Sequence, residues 1–269
     1  FANGATWTAG TQPSPMIAGT SVAVSADTLQ ADGLLRAFVP GGLVGLRLNP
    51  DLAQGESFVI ASNTASEITV ITPNENGVTF ASVAAAGKRF GEALVFDFVT
   101  TRRGGHLELV DRLTVNGTLS LSENALLTHA KTTATYEGGL DLDVGTLLVD
   151  ATSRIDVTGR GYLGGGKTPF GDSAQTLGLA AGAQPGTGGS YGGLGGDYAS
   201  NGANVPNPVY GTASEPLELG SGGGGWGGDG GDGGGRVKVV ADAVVLDGAI
   251  LANGALSSGS ASGEGSGGS

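Results

Sequence analysis

The sequence predicts an all-β protein: a right-handed parallel β-helix with a glycine-rich, polyglycine II-like layer and an inserted small β domain. Three observations predict it, namely a strand motif that occurs four times, 53 glycines among 269 residues, and no helical spacing of apolar residues. Glycine disfavours helices because each one costs about 1 kcal/mol relative to alanine. Apolar residues make up 39% of the chain, which argues against simple disorder.

The repeated motif is a strand, a polar corner, a second strand and a turn at Asp-Gly or Asn-Gly. Its most similar copies are VAVSADTLQADG at 22–33 and VKVVADAVVLDG at 237–248, and looser copies lie at 107–117 and 140–151. Their period-two alternation predicts short strands, which fit either an antiparallel sandwich or a parallel β-helix. The similarity of the copies favours the β-helix, since stacked coils need equivalent residues at equivalent positions. Right-handedness follows from the general preference of parallel crossovers.

The repeats also predict the domain organisation. We expect residues 1–33 to form the first coil and residues 98–256 to form the rest of the β-helix. Residues 34–97 lack the coil pattern and show strands separated by Asn, Gly and Pro turns, which indicates an inserted small β-rich domain. A decorated wall of the same β-helix is the alternative. Residues 257–269 consist largely of Gly and Ser and are expected to be a tail or linker.

The glycine-rich segment spans residues 159–235 and contains 29 of the 53 glycines. In GGGGWGGDGGDGGG the only side chains are Trp226, Asp229 and Asp232, spaced by three residues, which is the period of a polyproline II helix. The bare edges of such a helix let neighbouring backbones hydrogen-bond. We therefore expect a packed layer of polyglycine II helices, with solvated flexible loops as the alternative.

A family resemblance rests on three stretches within roughly residues 140–256: GGSYGGLGG, YGTASEPLELGSGGGGWGG and GGGRVKVVADAVVLDGAILANG. Their arrangement resembles the glycine-rich β-helical modules of very large bacterial surface and secreted proteins, usually described as adhesin-like. The expected layer is also similar to those of some phage tail-tip adhesins and of a glycine-rich snow-flea antifreeze protein. The resemblance implies an extracellular or cell-surface location and a structural or adhesive role without catalysis.

Composition disfavours several other functions. A formal net charge of −12 repels phosphate backbones and anionic lipid head groups, so we expect no nucleic-acid partner and no membrane-surface partner. The chain has no cysteine, which excludes disulfides and thiolate-zinc sites. No apolar run approaches the ~20 residues of a membrane span. Because the chain begins at Phe1 without an initiator Met, we expect a processed protein or a piece of a longer one.

The sequence shows no catalytic constellation. No GxSxG, HExxH or P-loop motif is present, so we expect no catalytic residues. Parallel β-helices often carry polysaccharide lyases and glycosidases, so a carbohydrate-active enzyme with paired carboxylates is an alternative function. The two histidines are expected to be satisfied or solvent-facing rather than catalytic bases, and the acidic pairs to be solvated on the outer wall. The histidines are His106 and His129, and the pairs are Asp141 with Asp143 and Asp150 with Asp156.

The binding candidates are aromatic and acidic side chains within the glycine-rich segment. Aromatic faces stack on sugars, although the same side chains could equally close the glycine layer as plugs. The aromatic candidates are Trp226, Tyr191, Tyr198 and Tyr210, and the candidate calcium ligands are Asp229 and Asp232. Calcium is the one cofactor considered. The expected partner is a cell-surface glycan or protein, or a further copy of the chain in a fibre, because open solenoid ends template stacking.

Overall fold

The structure is a computed structural model that describes residues 6–9, 17–32, 38–109, 112–197, 204–212, 214 and 216–269. It is all-β apart from one short α-helical turn and one short 3₁₀ turn. The chain divides into two compact units: the smaller contains Thr8–Phe96 and Asp111–Thr114, and the larger contains Phe1–Trp7, Asp97–Val110 and Val115–Ser269. Among the described residues, no helix is long and apolar enough to cross a membrane.

The described residues form seventeen strands, one α-helical turn and one 3₁₀ turn at Leu177–Leu179. In chain order they are β1 (Thr6–Ala9), β2 (Ala18–Val24), β3 (Thr28–Asp32), β4 (Arg47–Asn49), β5 (Phe58–Asn63), β6 (Glu67–Val70), α1 (Phe80–Val83), β7 (Arg89–Glu92), β8 (Leu94–Thr101), β9 (His106–Leu109), β10 (Leu113–Leu121), β11 (Leu126–His129), β12 (Leu140–Val149), β13 (Arg154–Asp156), β14 (Gln175–Thr176), β15 (Ala180–Ala181), β16 (Val237–Leu246) and β17 (Ala249–Leu251).

The smaller unit is a closed barrel of six antiparallel strands in the order β2-β3-β6-β5-β4-β7. Closure leaves no free sheet edge within the barrel. Alternate strand residues point inward, and α1 adds Phe80, whose ring meets the Phe58 ring edge-on with centroids 5.2 Å apart. The buried core consists of Ile17, Leu29, Ala31, Phe38, Leu43, Leu48, Phe58, Ile60, Ile68, Val70, Phe80 and Phe90.

The larger unit contains two separate main sheets, and successive strands from β8 to β13 alternate between them. One sheet has the order β1-β9-β11-β13-β17 and the other has the order β16-β12-β10-β8. β11 is parallel to β9 and β13, β13 is parallel to β17, and β12 is parallel to β16. β12 shows the alternation of a strand with one buried face: Leu140, Leu142 and Val144 face the core, and the residues between them are partly exposed.

The predicted right-handed parallel β-helix is wrong, because the structure has an antiparallel barrel and separate parallel sheets. The clearest error lies in residues 22–32, within the segment 1–33 that was expected to form the first coil. There the chain reverses at a turn in which the Ser25 N–H donates to the Thr28 carbonyl at 2.8 Å, so β2 and β3 pair antiparallel. Period-two alternation reports only that one strand face is buried. The same alternation occurs in a β-helix coil and in a hairpin, so it could not show that this segment forms a hairpin.

Candidate functional site

Extended glycine-rich segments of the larger unit lie side by side outside the strands of both main sheets. Their backbones bond to one another: the Gly161 N–H donates to the Gly233 carbonyl at 2.7 Å, and the Gly234 N–H donates to the Ser266 carbonyl at 2.8 Å. Because one segment bonds to several neighbours, the bonds form a continuous network that satisfies buried backbone groups. We call this network the glycine layer: residues 161–165, 186–189, 219–225, 230–235 and 263–269.

Close backbone approach is the reason that the layer contains glycine. A Cβ added at Gly233 would lie 1.8 Å from the Gly220 carbonyl oxygen, and one at Gly230 would lie 1.9 Å from the Gly223 carbonyl oxygen. The atoms in the way are backbone rather than flexible side chains, so a larger residue requires neighbouring segments to separate. By contrast, Gly193 has no atom within 4 Å of its would-be Cβ.

Two turns at one end of the layer are joined by serine hydroxyls. The Trp226 N–H donates to Ser262 Oγ at 2.8 Å, and that hydroxyl donates to the Gly228 carbonyl at 2.9 Å. The Asp229 N–H donates to Ser258 Oγ at 2.9 Å, and the Ser258 N–H returns a bond of 2.9 Å to the Asp229 carbonyl. We call these two turns the serine-linked tip: residues 226–229 and residues 257–262.

The serine-linked tip presents an aromatic ring and a carboxylate on one short turn. Trp226 is 50% exposed although its backbone is fixed by Ser262. Asp229 follows three residues later, and its Oδ1 occupies the space beside Gly166, where an added Cβ would lie 2.4 Å away. Binding sites for small molecules combine an apolar or aromatic surface with a few fixed polar groups. The tip therefore has the group types needed to stack on a ligand and accept its hydrogen bonds.

Two of the tyrosine candidates, Tyr191 and Tyr210, pack against each other. The ring centroids of Tyr191 and Tyr210 are 5.2 Å apart, and the planes are tilted by 56°. The Tyr210 hydroxyl donates to the Leu219 carbonyl at 2.5 Å and accepts from Ser221 Oγ at 3.0 Å. Burial of the phenol raises the pKa of Tyr210 to about 12. This pair ties a loop to the glycine layer. Tyr198, the remaining aromatic candidate, lies outside the described residues.

Asp232 lies in the interior, in an ionic cluster. Its carboxylate is buried, with Oδ1 2.6 Å from Lys167 Nζ and Oδ2 in contact with Lys131 Nζ. Oδ1 also accepts the Gly164 N–H at 2.8 Å. Burial opposes ionisation of this carboxyl, but the backbone bond and the two ammonium groups outweigh it and lower the pKa of Asp232. The carboxylate therefore holds the layer to two lysines.

The calcium prediction stays a prediction. Asp229 and Asp232 belong to the same run, but both oxygens of Asp232 contact lysines while Asp229 lies on the serine-linked tip. In the part of the chain that the structure describes, no group of three or more His, Asp or Glu side chains could hold a metal ion. A calcium ion at Asp229 would therefore take most of its oxygen ligands from backbone carbonyls, hydroxyls and water.

His129, at the end of β11, lies in the interior beside the glycine layer. The imidazole is buried, and a Cβ at Gly235 would lie 2.3 Å from its Nε2. Its Nδ1 lies 2.8 Å from the Ala130 carbonyl, which assigns the Nδ1–H tautomer, and Nε2 has no partner among the described residues. Burial lowers the pKa of His129 to about 4 because the charged form would lose its hydration. Burial also lowers the pKa of His106.

The acidic pairs of the sequence take part in local structure. Arg236 donates to both carboxylate oxygens of Asp141 at 3.0 Å. Asp150 accepts the Glu123 N–H at 2.8 Å and the Thr152 N–H at 2.9 Å, and these bonds hold its pKa below the ordinary range. The Asp156 carboxylate accepts the Thr158 N–H at 3.0 Å, and its pKa is likewise lowered although partial burial opposes the change. Asp143 also has an interaction partner.

Sequence reasoning missed the residues that hold the candidate site in place. Lys131 and Lys167 lie far from Asp232 along the chain, and no local pattern connects them. Ser258 and Ser262 lie in the segment 257–269 that was expected to be a tail or linker. The available signal was SSGSAS at 257–262, because alternating small hydroxyl residues commonly bond to turn backbones.

Comparisons of the chain with known protein families, with curated proteins and with solved structures gave no match. The candidate site is therefore defined by its own geometry. Its parts are the glycine layer and the serine-linked tip, which carries the half-exposed Trp226 and Asp229.

Proposed function

We propose that this chain is a non-catalytic structural and adhesive module located outside the cell, on a bacterial surface. Within it, the glycine layer acts as the support and the serine-linked tip acts as the contact surface for a cell-surface glycan. The observation that carries the proposal is Trp226, which is half-exposed on a turn whose backbone bonds to the Ser262 hydroxyl at Trp226 and at Gly228. The sequence resemblance to adhesin-like modules supports the same role.

The contrast among the aromatic residues supports a ligand at Trp226. Tyr191 and Tyr210 pack against each other, and the Tyr210 hydroxyl is used inside the molecule. Trp226 instead leaves half of its surface in water, although burying a large aromatic ring is normally favourable. Its neighbour Gly227 has φ of 67°, a turn conformation that suits glycine and helps to set the direction of the chain at the tip.

Charge narrows the ligand class. The chain carries a formal net charge of −12, and Asp229 adds a carboxylate to the same turn as Trp226. Anionic polysaccharides are repelled by such a surface, whereas a neutral sugar can stack on the ring and donate its hydroxyl hydrogens to the carboxylate. We therefore propose a neutral glycan as the ligand. The fixed backbone lowers the ordering cost of binding, because the turn is already in place before the ligand arrives.

The experiment is a glycan-array screen followed by titration of the best neutral oligosaccharide. Trp226→Ala is expected to weaken binding by about tenfold or more, since it removes the stacking surface. Asp229→Asn is expected to weaken it less, because the amide still accepts a hydrogen bond. Phe170→Ala is the matched control, as Phe170 is another exposed aromatic residue outside the serine-linked tip. The control should bind like the unaltered chain.

Two results would contradict the proposal. Unchanged glycan affinity in Trp226→Ala, with an unchanged urea unfolding midpoint, would exclude the serine-linked tip as the contact surface. Turnover of any glycan, measured as new reducing ends or unsaturated sugars, would contradict the non-catalytic role. Titration with and without calcium belongs to the same experiment, because a strong calcium requirement would move Asp229 from a hydrogen-bond acceptor to a metal ligand.

A further inference from the structure

The edge strand β16 forms one end of the four-stranded sheet. It pairs with β12 along one side, and among the described residues no strand lies along its other side. β16 has ten residues, which corresponds to roughly 33 Å of extended chain. A long sheet edge presents unpaired N–H and C=O groups and is a template for pairing with another chain.

The hydrogen bonds at the start of β16 show which backbone groups face outward. The Arg236 carbonyl accepts a hydrogen bond from β12, whereas the Val237 N–H points to the opposite side and donates to the Ser269 carbonyl at 2.7 Å. Backbone groups of successive residues in a strand alternate between its two sides. The N–H and C=O groups of Val239 and Ala241 therefore face the open side, beyond the position that Ser269 occupies.

The side chains of the same segment alternate as well. Val239 is the register partner of the buried Leu142, so it lies at the uncovered end of the apolar core. Lys238, Val240 and Asp242 lie on the other face and are exposed. The segment KVVAD at 238–242 thus has an apolar inner face and a positive charge and a negative charge placed evenly about Val240 on its outer face.

We propose that a second copy of this chain docks along β16, antiparallel to it, with Val240 at the two-fold axis. In this register Val239 of each copy lies opposite Ala241 of the other, and the outward N–H and C=O groups of both residues bond across the interface. Lys238 of each copy then lies opposite Asp242 of the other. The two copies meet through equivalent surfaces, so the assembly closes as a dimer.

Charge complementarity selects this occupant and this register. A shift of the two-fold axis by two residues in either direction would place Lys238 opposite Lys238, or Asp242 opposite Asp242, and like charges directly opposite are destabilising. Only the register centred on Val240 pairs both charges with opposite ones. A lysine on a sheet edge normally discourages pairing. Here Asp242 of the second copy neutralises it, which makes the edge selective for a copy of itself.

The first test exchanges the charges. Sedimentation equilibrium of the unaltered chain, from about 1 to 300 µM, should show a mass that rises toward twice 26.2 kDa. Lys238→Asp or Asp242→Lys alone should weaken the dimer by about tenfold or more, because each places two like-charge pairs at the interface. The double variant Lys238→Asp with Asp242→Lys should restore the dimer. A chain that stays monomeric at 300 µM, or a double variant that stays dissociated, would overturn the proposal.

The second test uses the absence of cysteine. Residues at the two-fold position form a non-hydrogen-bonded pair with Cα atoms about 4.5 Å apart, within reach of a disulfide. Val240→Cys should therefore give a covalent dimer under mild oxidation at micromolar concentration. Val245→Cys is the matched control, since Val245 is 49% exposed against 47% for Val240 but lies outside the paired segment. Equal cross-linking of the two variants, or fibres in place of dimers, would contradict the proposed interface.

Discussion

The barrel and the glycine layer have interiors of opposite kinds, one made of side chains and the other of backbone. The barrel fills its interior with large side chains such as Phe58, Phe80 and Phe90, which are essentially inaccessible to water. The glycine layer has almost no side chains to bury, and its interior consists of backbone groups bonded from segment to segment. The first gains stability mainly from apolar area, and the second depends on hydrogen-bond satisfaction and very close backbone packing.

The two regions should therefore be sensitive to opposite kinds of substitution. A core of side chains is damaged by removing atoms, because a cavity remains. A core of backbone is damaged by adding atoms, because Gly220 and Gly233 leave no room for a single methyl group between them.

Phe58→Ala is expected to lower the free energy of unfolding of the barrel by about 4 kcal/mol, since it removes a fully buried ring and leaves a cavity beside Phe80. Phe58→Leu should cost much less because most of the volume stays filled. Amide hydrogen exchange of barrel strands measures the change. Equal losses for the two variants would show that volume is not what stabilises this core.

Gly233→Ala is expected to lower the free energy of unfolding of the larger unit by about 3 kcal/mol, because the new methyl group collides with the Gly220 carbonyl. Gly193→Ala adds the same methyl group into open space and should change stability by less than about 0.5 kcal/mol. In a Trp7→Phe background Trp226 is the only tryptophan, so its fluorescence in urea reports the unfolding of the glycine layer. Equal unfolding midpoints for the two alanine variants would contradict close backbone packing.

Acid should destabilise the larger unit before it affects the barrel. His129 has a pKa of about 4 when folded and an ordinary value near 6.5 when unfolded, so the unfolded chain binds the extra proton between these values. The contribution of the neutral imidazole to the free energy of unfolding is full above pH 6.5 and is lost as pH falls toward 4. We expect about 2 kcal/mol of lost stability at pH 5 relative to pH 8.

His129→Gln should remove most of that pH dependence, because glutamine does not ionise. The groups that act on the imidazole charge are Arg160 and Arg236, which disfavour it, and Asp141, which favours it. His106 contributes in the same direction because burial also lowers its pKa. If His129→Gln kept the full loss of stability between pH 8 and pH 5, the buried imidazole would not be its source.

The sequence indicated strands and burial better than it indicated connectivity. Alternation predicts a strand within 140–151, and β12 is a strand whose Leu140, Leu142 and Val144 face the core, because a strand with one buried face alternates in any sheet. It could not distinguish the hairpin at Ser25 from a coil corner, since both use short polar residues. The expectation of a β-helix failed for that reason. Closure of the barrel is set by pairings between strands distant in sequence, which no local pattern contains.

For the candidate site, spacing by three drew attention to Trp226, Asp229 and Asp232 but could not assign their surroundings. The two aspartates have the same local sequence context, yet Asp232 is buried against Lys131 while Asp229 lies on the serine-linked tip. That distinction depends on which distant segment lies beside each position. It becomes clear only when residues 257–262 are placed at the serine-linked tip and residues 263–269 in the glycine layer.

The most direct test of the backbone-bonded glycine layer is the hydrogen exchange of its amides. The informative amides are Gly220, Gly223, Gly231, Gly233 and Gly234, each of which donates to a backbone carbonyl at 2.8 to 3.0 Å. We predict exchange as slow as that of the barrel amide of Ile60, which donates to Leu46 at 2.8 Å. Exchange as fast as that of the exposed Gly192 would show that these segments are not held together by backbone hydrogen bonds, and would contradict the glycine layer.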